Sequence, residues 1–183
     1  MKNKKSIIIF TAIIILVILE IINIENIILK KLYPIKYEDY VLKYSKEYNV
    51  DKNLIFAIIK AESNFKNESI SESNAKGLMQ IMDLTANELA ENLEIENEID
   101  LFDEETNIKL GTYYISTLLK YYNNTYLALS AYNAGIGNVN KWIEEGIIER
   151  DGSNIENIPF KETRNYIRNV IRNYKIYLMR SEE

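Results

Sequence analysis

Glu62 stands where a run of apolar residues at helical spacing calls for another apolar side chain. Ile55, Ile58, Ile59, Glu62 and Phe65 share one face of a predicted helix that starts at an Asp51 N-cap and runs through Phe65. A carboxylate on a core-facing stripe is costly unless paired, and it responds by holding its proton. The last turn of a helix adds to this, because the negative end of the dipole disfavours an ionised acid there. A carboxyl that stays protonated near neutral pH is what general acid catalysis needs. Spacing alone leaves a second reading open: Glu62 lies at the margin of the stripe and pairs with a Lys or Arg.

What the chain lacks narrows the chemistry further. Its 183 residues include no His and no Cys. Triads built on imidazole, thiolate nucleophiles, disulfides, lipid-modified cysteine and most catalytic zinc sites are therefore excluded. No metal and no cofactor is expected, and acid–base work falls to carboxylates, Lys or Tyr. The net charge is −5, and the only basic cluster is the short one at the N-terminus. That balance argues against nucleic acid as a partner.

Two further segments carry polar groups suited to a site. Gly77-Leu78-Met79-Gln80 follows a Ser-rich stretch, where a Gly permits close backbone approach by a ligand and Gln80 offers donor and acceptor atoms. Ala131-Tyr132-Asn133-Ala134-Gly135 sets Tyr132 at a helix end before a glycine turn. Each alone reads more readily as ordinary structure, a turn in the first case and a capped helix with a core Tyr in the second.

The elements that must position these groups are helices. Tyr37, Tyr40, Val41, Tyr44 and Tyr48 mark one, and Thr85-Ala86-Asn87-Glu88 fits a capping box opening another. Ile108, Gly111, Ile115, Leu118, Leu119 and Tyr122 stripe a longer helix, and two short helices flank Gly135-Ile136-Gly137. A last helix carries Tyr166, Ile167, Val170, Ile171, Tyr174 and Leu178. Strand signals are nearly absent. At the N-terminus, Lys2, Lys4 and Lys5 precede an apolar run from Ile7 to Leu19, with no small-residue cleavage site after it. This reads as an uncleaved anchor that leaves the remainder outside the cytoplasm, with secretion after cleavage as the alternative. The expected organisation is an anchor over residues 1–25, a linker over 26–36 and a helical domain over 37–180.

Taken in order, these segments resemble the soluble lytic transglycosylase family, a branch of the lysozyme-like superfamily. The resemblance rests on Glu62-Ser63, on Ser71 through Gly77-Leu78-Met79-Gln80-Ile81-Met82 with Thr85-Ala86, and on Asn107 and Gly111. Ala131-Tyr132-Asn133-Ala134-Gly135 and Glu162-Thr163-Arg164 with Tyr166 complete it, so that it covers Tyr44 to Tyr174. Asn74 stands where Gly is usual and Asp83 where Pro is usual. The expected fold is mostly α, a lysozyme-like domain with an irregular substrate loop and at most a short β element.

The resemblance implies cleavage of the β-1,4 bond between N-acetylmuramic acid and N-acetylglucosamine in peptidoglycan. Glu62 would act first as acid and then as base, and the muramyl 6-hydroxyl would close a 1,6-anhydro ring. It also implies Ser63 and Gln80 at the sugar, Met79 lining the cleft, and Tyr132 and Tyr166 bonded near Glu62. Asn133 would touch substrate or cap its helix. Glu68, Glu72 and Glu94 are candidates for a second acid, and 146–157 for a flap beside the cleft. A goose-type hydrolase and a non-catalytic wall-binding module are the rival functions.

Overall fold

The computed structural model describes the chain from Lys2 to Ser181, without the side chains of residues 2–9, 11–13, 22, 25 and 26. It divides into two units, Met1–Ile35 and Lys36–Glu183. The first holds helix α1 (Lys2–Leu32), so helix occupies most of the stretch expected as a linker. Much of the expected anchor lies outside the described side chains. Among the described residues no helix is long and apolar enough to cross a membrane.

The second unit is built from helices α2 (Glu38–Tyr48), α3 (Lys52–Glu62), α4 (Asp83–Asn92), α5 (Glu104–Tyr122), α6 (Thr125–Ala134), α7 (Ile136–Glu144) and α8 (Lys161–Ser181). The β element reduces to isolated bridges pairing Lys76 with Ile70 and with Ile81. Helix α3 is the centre of the core. Its residues from Asn53 to Ile59 are all buried. Ile55, Ile58 and Ile59 are fully enclosed, each worth about 1.5–3 kcal/mol of burial.

The most extensive packing partner of α3 is α8. Phe56 stacks on Tyr177 with ring centres 5.5 Å apart. At the far end the Asp51 cap accepts from the Asn53 amide at 2.8 Å and from the Tyr174 hydroxyl at 2.6 Å. These contacts hold the N-terminal half of α3 against α8, and its C-terminal residue, Glu62, stands where the core meets the substrate loop.

Three local expectations need correction. Helix α3 ends at Glu62, three residues early, because Asn64 and Phe65 take left-handed backbone angles of φ 52° and 63°. The capping box at Thr85 does not form. Helix α4 starts at Asp83 after Met82, with no side-chain cap. Asp83 sits at the first helical position, which Pro also suits, and its carboxylate takes Lys76 Nζ at 2.7 and 2.8 Å. The loop entry is thereby clamped by an ion pair. Asn74, the other departure, adopts φ 64°, the left-handed region a Gly would fill readily.

Candidate active site

Ser63 follows Glu62 as the helix cap, and its amide donates to Ile59 O at 3.1 Å. Its hydroxyl is buried and reaches Leu78 O at 2.8 Å. Ser63 therefore ties the acid turn to the substrate loop, with its side chain turned into the protein.

The loop itself hangs on Asn107 of α5. This side chain is 1% exposed. Its Oδ1 accepts from the Met79 amide at 2.7 Å, and its Nδ2 donates to Lys76 O at 3.0 Å and Leu101 O at 2.9 Å. Gly77, at φ 79°, allows the approach: a Cβ there would lie 2.1 Å from Asn107 Nδ2 and 2.2 Å from Leu101 O. The close approach at Gly77 is thus made by Asn107 and Leu101, not by a ligand. One turn along α5, Gly111 leaves room for Met79, whose Sδ would stand 2.5 Å from a Cβ at that position.

Met79 is consequently fully buried and does not line the cleft. Only its backbone serves the site. The Tyr132 hydroxyl donates to Met79 O at 2.8 Å, which anchors Tyr132 to the loop and not to Glu62. Tyr132 is nearly parallel to Tyr166, at 5° with centres 6.5 Å apart, and lies 5.1 Å from Tyr114. Asn133 Oδ1 accepts from Thr163 Oγ1 at 2.7 Å, joining the end of α6 to the start of α8. Gln80 donates through Nε2 to Gly77 O at 2.8 Å and Ser69 O at 3.1 Å, so its amide is pinned at the cleft wall.

Glu62 keeps part of its surface open to the cleft, yet its carboxyl is set so deeply among protein atoms that its ionisation is pushed up to about 8. Desolvation by burial is the main cause. The Tyr166 hydroxyl lowers it, and the charge of Glu162 raises it. Tyr166 is buried and its hydroxyl falls short of full hydrogen-bond geometry with any partner, so it is free to donate when Glu62 ionises. Tyr132 and Tyr166 are themselves driven well above the usual phenol range by burial, then by Glu62, and remain neutral donors.

The cleft has two arms meeting at Glu62. One, of about 1050 Å³, runs along α8 past Lys161, Asn165, Arg168 and Arg172. The other, of about 590 Å³, passes Tyr114, Tyr132, Met82, Thr85 and Glu72. Glu62, Ser71, Gln80, Asn133 and Glu162 border both arms.

Glu162 is a further acid in the cleft that the sequence pattern does not reveal, because an exposed residue at a helix start gives no hydrophobic-pattern signal. Of the proposed second acids, Glu72 lines the cleft, while Glu68 and Glu94 do not. Residues 146–157 line neither arm. Asn124 Nδ2 holds Asp151 O at 2.8 Å instead, and Glu156 pairs with Arg168. Among the described residues no cluster of acids could hold a metal ion.

Residues 39–151 match the family model described as "Transglycosylase SLT domain". A putative soluble lytic murein transglycosylase of Haemophilus influenzae is 39% identical over 143 residues, covering 75% of this chain and 24% of that protein. A membrane-bound lytic murein transglycosylase C of Edwardsiella ictaluri is 39% identical over 116 residues, covering 57% of this chain and 32% of that protein. An inactive mutant of the lytic transglycosylase Slt from Pseudomonas aeruginosa superposes with a TM-score of 0.75 at 34% identity, covering 82% of this chain and 25% of that one. The chain spans about a quarter of the length of the soluble relatives it matches.

Proposed function

The chain belongs to the SLT transglycosylase domain family, and on that premise we propose that it is a peptidoglycan lytic transglycosylase. The observation that carries this reading is a single carboxyl held protonated at the junction of a two-armed, open groove. A groove continuous on both sides of an acid suits a polymer that passes across it. The substrate is the glycan strand, cut at the β-1,4 bond between N-acetylmuramic acid and N-acetylglucosamine.

Glu62 gives its proton to the bridging oxygen, and the N-acetylglucosamine leaves with a free 4-hydroxyl. The muramyl ring carries positive charge at its anomeric carbon, which its own N-acetyl oxygen stabilises. Glu62 is now an anion, and the Tyr166 hydroxyl can donate to it. In the second half Glu62 takes the proton of the muramyl 6-hydroxyl as that oxygen bonds to the anomeric carbon. The proton lost in the first step is regained, the product is a 1,6-anhydro end, and no water enters.

Gln80 and Asn133 are the sugar contacts in this account, with Tyr132 and Tyr166 shaping the floor around Glu62. Ser63 and Met79 act from beneath, through the loop. We place the domain outside the cytoplasm, held by the Lys2, Lys4, Lys5 and Ile7-to-Leu19 segment as a single-pass anchor. The exposed Leu16, Val17, Ile18 and Leu19 of α1 support that placement. Retention of the full chain in salt-washed membranes tests it, and release into the soluble fraction would count against it.

Digestion of purified peptidoglycan followed by mass spectrometry tests the reaction. Ends lacking the mass of one water, formed in place of reducing ends, are expected. Reducing ends carrying the added water would instead make the enzyme a hydrolase, with Glu162 or Glu72 left to activate the water.

A further inference from the structure

The aromatic lining of the groove continues past the end of its smaller arm. Tyr114 of α5 borders that arm beside Ala134 and Gly135, at the turn from α6 to α7. Seven residues on, Tyr121 returns to the same side of α5, about 10.5 Å further along its axis. Tyr121 is 62% exposed, yet its ring is held. Tyr122 meets it edge-on at 87°, with ring centres 4.7 Å apart. The Tyr122 hydroxyl donates to Asn140 Oδ1 of α7 at 3.0 Å, and Asn140 Nδ2 donates in turn to the Tyr121 hydroxyl at 3.2 Å. Tyr122 also lies 3.5 Å from the carbonyl of Ile136, the residue after Gly135, so the set abuts the end of the arm. The turn between them is bare: a Cβ at Gly135 or Gly137 would meet nothing within 4 Å.

We propose that Tyr121, Tyr122 and Asn140 form an outlying sugar subsite, where a ring of the glycan strand beyond the arm stacks on Tyr121. This rests on the glycan-cleaving reading above and extends it past the groove. The apolar face of a sugar ring suits the open face of a Tyr, and a ring already held in place loses little freedom on binding. The Tyr121 hydroxyl accepts from Asn140 and keeps its own proton for a ligand, while the carboxamide and hydroxyls beside it match the donors and acceptors of sugar hydroxyl and acetamide groups. None of the three residues is charged, as a neutral ring requires. A single exposed Tyr is ordinary surface. Alignment with Tyr114, a fixed orientation and continuity with the arm give this one a glycan as its occupant.

Full-length Glu62→Gln protein holds its ligand without cutting it, which allows the test by calorimetry. A peptide-free disaccharide of the strand is compared with a long peptide-free oligomer of the same strand. The long oligomer is expected to bind more tightly. Tyr121→Ala, which spares the core because Tyr121 is exposed, should weaken the long oligomer about three- to tenfold and leave the disaccharide unmoved. Tyr121→Trp should keep the preference, Asn140→Ala should lose part of it, and added salt should change it little. A long oligomer bound no more tightly than the disaccharide, or a preference that survives Tyr121→Ala, would overturn the subsite. Equal losses for both ligands would also overturn it, because they would trace to the shape of the arm and not to a contact beyond it. Cleavage of glycan strands by protein retaining Glu62 and Tyr121 reports separately on the catalytic reading.

Discussion

Glu62→Gln is expected to abolish glycan cleavage while making the protein more stable. General acid catalysis contributes about 10²–10⁴-fold, and here one group serves twice, so the loss should lie at or above the upper end of that range. The gain in stability follows from the same burial. The folded protein holds the Glu62 proton up to about 8, whereas the unfolded chain releases it near 4.5. Between those values the folded state binds more protons, so stability falls as pH rises through the window and the full cost stays in place above it. A neutral amide removes a cost on the order of a few kcal/mol. The melting temperature of Glu62→Gln should therefore exceed that of the parent at pH 8 and converge with it below about pH 4.5. Substantial cleavage by the variant, or equal melting at pH 8, would contradict the role given to Glu62.

Asn107→Leu is expected to cost about 2–4 kcal/mol and most of the activity, although Asn107 touches no substrate. The substitution keeps the branched shape but leaves the Met79 amide and the Leu101 carbonyl without their partner, while the Lys76 carbonyl keeps only the Ile81 amide at 3.0 Å. Each buried group so stranded costs about 1–3 kcal/mol, partly relieved by local movement. The same residue holds the backbone whose Met79 carbonyl anchors Tyr132 and whose Gly77 carbonyl pins Gln80. Urea unfolding measures the first effect, and cleavage assayed well below the melting temperature measures the second. A midpoint within experimental error of the parent would show that the loop does not depend on Asn107.

The core and the acid were legible because both are written in periodicity. Ile55, Ile58 and Ile59 lie inside as their spacing requires, and Glu62 is costly there for the reason its place on the stripe suggests. The roles of loop residues were less legible, because in a loop the backbone and not the pattern decides where a side chain points. Ser63 and Met79 looked like cleft residues by motif, yet one caps a helix and the other fills the space left by Gly111. The early end of α3 could not be read either, since Phe65 continues the apolar stripe and is buried while sitting at a positive φ. Asn107 entered only as part of a motif; its three bonds depend on segments 28 and 31 residues upstream and 6 residues upstream meeting at one point.

The proposed anchor and the helical domain rest on different kinds of support. The first depends on basic residues followed by an apolar run, with exposed apolar side chains on α1. The second joins pattern, packing and family membership. The chemistry attributed to Glu62 needs only the second, and it would stand for a domain held at the wall in any other way.

Everything in the catalytic account turns on one ionisation. Carbon-13 NMR of protein labelled at the glutamate carboxyls, with the Glu62 signal assigned by its absence in Glu62→Gln, follows that ionisation directly with pH. A midpoint near 8 is the predicted result. A midpoint near the ordinary 4.5 would mean that Glu62 is ionised at neutral pH and is not the proton donor.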